Sequence, residues 1–217
     1  FDASQFVLGQ PYNLTVKLNE EEASTYGISE ATFTFLIPEP WSSLGEGIYI
    51  DELLCYMLEE DDSFIGTGAY VEFEQHDLEK NRVRAKNVYA QATIGAMWGG
   101  VPSWMTFTAT GDTYVEFDIT DPNNVVLAQN PVMLGFDINY EDGAVPACLY
   151  VPEKNGSYAA PITFKDGFIT FPQNNVLLGI IDGGELYMPT GALSNTAGLM
   201  SFIGPGTVLT DYTISAT

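Results

Sequence analysis

Along most of the chain, apolar and polar residues alternate with a period of two, in short runs set off by turn residues. The runs YNLTVKL (12–18), ATFTFLI (31–37), YVEFE (70–74), RVRAKNV (82–88), MTFTAT (105–110), YVEFDI (114–119), VMLGFDINY (132–140), ITF (162–164), FITF (168–171) and NVLLGII (175–181) each predict a strand. The reason is geometric, since side chains two apart share one face of a pleated chain. Between them, DPNN (121–124), EDG (141–143), KNGS (154–157), KDG (165–167) and DGG (182–184) fall at hairpin spacing, with Gly free to take positive φ. Helical periodicity is nearly absent, and only IDELLCYML (50–58) reads either as a short helix or as a strand. The expected fold class is all-β, an antiparallel β-sandwich.

The first two runs, joined by NEEEASTYGISE, make a single hairpin, which is marginal alone in water. Residues 1–39 are therefore expected either to close an upstream sandwich module or to integrate into the main sheet. Pro38 and Pro40 suppress helix and ladder pairing, as a domain junction requires. The C-terminal β domain is expected over 40–217, with Trp41 packed under the junction.

Composition narrows the partners. The chain carries 29 Asp+Glu against 7 Lys+Arg, a formal net charge of −22. It repels phosphate backbones and anionic membrane surfaces, which argues against nucleic acid, and it suits cationic ligands or metals held by oxygen. At 46% hydrophobic and 17% charged, 217 residues can bury a real core. Cys55 and Cys148 lie in no metal or redox spacing and are flanked by apolar residues, so they read as buried small hydrophobes or as one disulfide. No signal peptide opens the chain and no apolar run approaches the ~20 residues of a bilayer span. Either the protein is soluble throughout or a targeting segment has been removed.

Specific motifs suggest a family. LGQPYNLTVKLNEEEASTYGISEATFTFLIPEPW, followed at once by SLGEGIYIDELL, resembles uncharacterised outer-membrane surface lipoproteins of gut Bacteroidota. In these an immunoglobulin-like or calcium-exchanger-β-like module precedes a C-terminal β domain. YVEFEQ (70–75), NVYA (87–90), YVEFDITDPNNVVL (114–127) and KDGFITFPQNNVLLG (165–179) continue the likeness over most of the chain. The resemblance implies a lipid-anchored protein of the outer-membrane cell surface, touching the membrane only through an anchor cysteine upstream of Phe1. It carries over no catalytic residues.

Several constellations are candidates for chemistry. Trp98 and Trp104 flank a Gly-Gly-Val-Pro loop, and indoles on a loop held by a rigid sheet form a platform for stacking on sugar rings. Tyr89, Tyr140, Tyr150 and Tyr158 extend that candidate site, and the alternative is that both indoles are core residues bracketing a turn. On the strand from Tyr70, Glu72, Glu74 and His76 are expected on one face. Lys80, Arg82, Arg84 and Lys86 alternate on the next strand, as a ladder of Glu72 and Glu74 against Arg82 and Arg84 or as a basic patch for an acidic sugar or partner. Asp137, Asn139, Glu141 and Asp142 precede Gly143 as oxygen ligands that would suit calcium, although the glycine falls one position late for an EF-hand. Asp118, Asp121, Asn123 and Asn124 read as turn chemistry. Glu59-Glu60-Asp61-Asp62 keeps a two-carboxylate glycosidase among the alternatives without singling out a pair.

The expected function is a non-catalytic surface lipoprotein binding glycan, peptide or another nutrient, with no cofactor beyond the calcium just described. The alternatives are an accessory subunit of a starch-utilisation-type outer-membrane transporter complex and a glycoside hydrolase.

Overall fold

A computed structural model describes residues 7–54, 68–188, 194–196 and 198–207. Cys55, the end of IDELLCYML and the 59–62 acid run lie outside the described residues. The chain divides into two compact units, Phe1–Trp41 and Ser42–Thr217. It is mostly β, with antiparallel sheets in a sandwich-like arrangement.

In the first unit, β1 (Pro11–Lys17) and β2 (Glu30–Leu36) pair with Leu14 opposite Phe33 and Tyr12 opposite Phe35. One face carries Tyr12, Leu14, Val16, Phe33 and Phe35. The other carries Thr15 bonded to Thr32, Thr34 donating to Asn13, and Lys17 beside Glu30. Between the strands lies a helix, α1 (Glu20–Tyr26), that strand periodicity did not predict. Its signals are local: Asn19 and Glu22 form a reciprocal capping box, and Gly27 ends it at φ 70°.

The second unit begins with β3 (Trp41–Ile50), β4 (Gly68–His76), β5 (Arg82–Lys86) and α2 (Gln91–Trp98), a second helix absent from the expectation. Next come β6 (Met105–Phe107), β7 (Tyr114–Asp118), β8 (Val126–Leu127), β9 (Val132–Tyr140) and β10 (Gly143–Tyr150). After β11 (Glu153–Lys154) and β12 (Ser157–Tyr158), a two-stranded hairpin, follow β13 (Thr163–Lys165), β14 (Phe168–Thr170), β15 (Leu177–Asp182), β16 (Glu185–Tyr187) and β17 (Ser201–Ile203). One sheet has the order β16-β15-β10-β9-β6 and the other β13-β14-β17-β3-β4-β5-β7-β8. A bridge between Val125 and Ile162 draws the two ends of the larger sheet together.

Alternation decides which faces are buried. Val132, Leu134, Phe136 and Ile138 of β9, Val71 and Phe73 of β4, Val83 and Ala85 of β5, and Val115 and Phe117 of β7 all enter one core. Each such large side chain contributes roughly 1.5–3 kcal/mol on burial. At its centre Phe202 stacks on Tyr49 at 4.6 Å and meets Phe117 edge-on at 5.0 Å, while Phe171 lies 6.1 Å from Phe202.

Several polar groups buried in this core are satisfied by one another or by backbone. The Tyr49 hydroxyl donates to Asp51 at 2.8 Å and lies 2.6 Å from the Tyr89 hydroxyl, which must then donate to Tyr49, since a phenol has one proton. Asp51 also accepts from the Leu54 N–H, and the buried Glu52 accepts from the Leu199 N–H at 2.7 Å. Asn195 accepts from the Asn175 and Val176 N–H groups and donates to the Pro172 carbonyl. Cys148 is a buried free thiol.

Three hydroxyl or thiol groups are held neutral. Burial, then the Asp51 carboxylate and Tyr89, push Tyr49 well above the ordinary tyrosine value. Burial pushes the Cys148 thiol up to about 11 against an opposing backbone hydrogen bond from Gly179, and burial also raises Tyr158. A raised folded-state pKa contributes stability that is complete below the unfolded pKa and lost as pH rises through the folded value. The denaturant midpoint should therefore hold to about pH 9 and fall steadily toward about pH 11. Titrating it by intrinsic fluorescence in wild type and Cys148→Ala checks this, and a flat profile over that window would contradict it.

Candidate functional site

The inner face of the five-stranded sheet does not end where the core ends. Val145 of β10 faces Ile138 of β9, Gly143 faces Tyr140, and Ile180 of β15 faces Tyr187 of β16. By the period of two, Tyr140, Val145, Ile180, Asp182 and Tyr187 all project from the face that buries Phe136 and Leu134. Tyr140 is nonetheless 49% exposed and Tyr187 53% exposed. Together with Asp142 they line an open cleft of about 530 Å³ at one end of the sandwich. Gly143 and Ala144 form part of its wall, with little side chain to fill it.

The cleft couples apolar rings to carboxylates. Val145 and Ile180 supply its apolar floor and the tyrosines its aromatic walls, with Asp142 and Asp182 at the hairpin tips. Among the described residues no basic side chain lines it. Rings of this kind stack on the C–H faces of sugars, and carboxylates accept hydrogen bonds from sugar hydroxyls. The turn that builds it is explicit in the chain: Gly183 and Gly184, at φ 57° and 88°, join Asp182 to Glu185 and so set Tyr187 opposite Ile180.

The residues expected from sequence separate. Tyr140 lies in the cleft. Tyr89 does not, because it is 2% exposed and bonded to Tyr49 in the core. Tyr158 accepts from the Leu127 N–H. Trp98 and Trp104 do come together, with ring centroids 6.4 Å apart, but they are partly buried against the core and do not line the cleft. The indole N–H of Trp98 is buried without an acceptor among the described residues. The loop between them is the exit from α2, whose C-cap Gly99 turns at φ 70°.

The charged ladder has a different register from the one expected. Glu72 faces Lys86 and Glu74 faces Arg84, while Arg82 is bound by Glu116 at 2.6 Å and Glu79 at 2.8 Å on its other sides. Arg84 reaches Glu74 at 2.5 Å and lies 3.7 Å over the Tyr114 ring. Lys86 meets Asp112 at 2.9 Å, and Lys80 belongs to the turn beside Asp77. The Asn87 side chain and then Lys86 lower the Asp112 pKa, and the Thr120 hydroxyl and then Asn81 lower that of Asp118. Every cation of this group therefore has a carboxylate neighbour, and no reversal of field remains to attract an anion. His76 is buried at 2% instead of joining the glutamates, and its Nδ1 accepts from the Glu79 N–H.

The calcium candidates are also spoken for. Asp137 accepts from the Thr108 hydroxyl, and Asn139 accepts from Thr106 and donates to the Ser103 carbonyl. Glu141 sits exposed in the β9–β10 turn. Among the described residues no three His, Cys, Asp or Glu side chains gather as a metal would require. Asp121 accepts from the Asn123 N–H, the turn chemistry expected of DPNN.

Comparison with protein-family models, with curated proteins and with solved structures found no match to the chain.

Replacing Trp98 or Trp104 with Ala should destabilise the protein by about 3 kcal/mol each, as large-to-small core changes do. Trp98→Phe should be much milder because it removes a buried donor that has no acceptor. Chemical denaturation of the three variants checks this, and equal losses for Trp98→Ala and Trp98→Phe would contradict it.

Proposed function

We propose that this chain is a non-catalytic carbohydrate-binding protein whose ligand lies in the cleft between Tyr140 and Tyr187. The observation that carries the reading is the pair of half-exposed tyrosine rings on an otherwise buried sheet face, with Asp142 and Asp182 beside them. Sheet-borne aromatics hold a ligand at low entropic cost, because their backbone is already fixed. In keeping with the sequence resemblance, the proposed setting is the outer-membrane surface of a gut Bacteroidota, held by a lipid anchor.

The Tyr140→Ala/Tyr187→Ala double variant should weaken retention by an immobilised-glycan panel at least tenfold, about 1.4 kcal/mol. Its thermal midpoint should stay nearly unchanged, because both rings are about half in solvent. Retention equal to wild type would sink the cleft as the site, and release of new reducing ends would favour the glycoside hydrolase alternative.

A second reading has its own support. The apolar face of the β1–β2 hairpin, with Phe33 57% and Val16 44% exposed, suits docking of an accessory subunit on a transporter complex. The native protein, purified from solubilised outer membranes, should then bring a transporter barrel with it. Phe33→Lys should abolish that association, and recovery alone would contradict this reading.

A further inference from the structure

We infer that the Tyr140–Tyr187 cleft selects a ligand that carries a positively charged amine, an amino sugar with its nitrogen free. This rests on the cleft being the ligand site. The carboxylates decide the preference. Among the described residues, neither Asp142 nor Asp182 has a hydrogen-bond or ion-pair partner, whereas Glu74, Asp112, Glu116 and Asp118 are all engaged.

Register adds a second observation. Asp182 stands directly across the β15–β16 ladder from Glu185, a like-charge pair with no ion-pair partner among the described residues. Residues directly opposite on a ladder have Cβ atoms about 5 Å apart, and like charges there destabilise the pairing. A bound cation relieves that repulsion.

The chemistry of the walls chooses which cation. A metal needs several oxygens inside one coordination sphere, and the described carboxylates do not gather that way. An ammonium group needs one carboxylate at a time and is attracted to the face of a tyrosine ring. Tyr140 and Tyr187 supply the faces, and Val145 and Ile180 supply apolar contact for the rest of a sugar ring. The net charge of −22 raises the local concentration of any cation and repels uronic acids.

The test uses the whole chain and four probes in calorimetric titrations at low and physiological salt. The probes are a glucosamine tetramer, its N-acetylated counterpart, a galacturonate tetramer and putrescine. The glucosamine tetramer should bind at least tenfold more tightly than the acetylated one, with no binding of galacturonate. Asp182→Asn should erase the amine preference, bringing the glucosamine tetramer's affinity down to that of the acetylated one. Asp182 is an exposed residue at the end of β15, so this variant should fold as wild type does. Equal binding of the amine and acetylated tetramers would overturn the inference and leave carbohydrate binding standing. Binding of putrescine alone, lost in Tyr187→Ala, would overturn the carbohydrate reading and keep the cation. Failure of all four probes would overturn both.

Discussion

The inner faces of the two sheets must stay out of water, and the aromatic cluster of Tyr49, Phe117, Phe171 and Phe202 is where that requirement concentrates. Tyr49 on β3, Phe117 on β7 and Phe202 on β17 tie three strands of the larger sheet to one point. Because Tyr49 is buried, its hydroxyl needs a partner, and the chain through Asp51 and Tyr89 supplies it. The same bonds bind the turn after β3 and the segment leading into α2 to the core. One cluster thus links three strands, the buried polar chain and the segment entering α2.

The cleft follows from that constraint by default. Where β9, β10, β15 and β16 run past the last core layer, the end of their inner face opens, among the described residues, into the cleft. Val145 and Ile180 are the tail of the core pattern, and the half-exposed Tyr140 and Tyr187 cover surface that would otherwise be bare. Tyrosine is suited to such a boundary, having an apolar body and a polar tip. A site made from the end of a core needs no dedicated loop.

Charge is distributed with the same economy. The cations of the β4–β5–β7 face are bound among a larger number of carboxylates, so the surface stays acidic there as well. These part-buried pairs together fix the neighbours of Arg82 and Arg84. In the cleft, Asp142 and Asp182 stand without such partners among the described residues. The difference between spent and unspent charge marks the site better than the count of acids does.

The all-β class and most strands were legible in the sequence, because a pleated chain with one buried face must alternate, as VMLGFDINY does in β9. The turn at Asp182–Glu185 was legible too, since Gly-Gly admits the positive φ that a two-residue hairpin needs. Even the missed α1 had its signals in Asn19, Glu22 and Gly27, which strand periodicity does not weigh. α2 had only Gly99 at its end and no side-chain cap at its start. Only the tertiary structure could separate one tyrosine from another. Tyr89 and Tyr140 are the same residue type, yet one is buried in the core and the other lines the cleft, because burial depends on where the opposing sheet stops. For the same reason Trp98 and Trp104 became partners against the core, and Tyr187, which no local pattern distinguishes, became half of the candidate site.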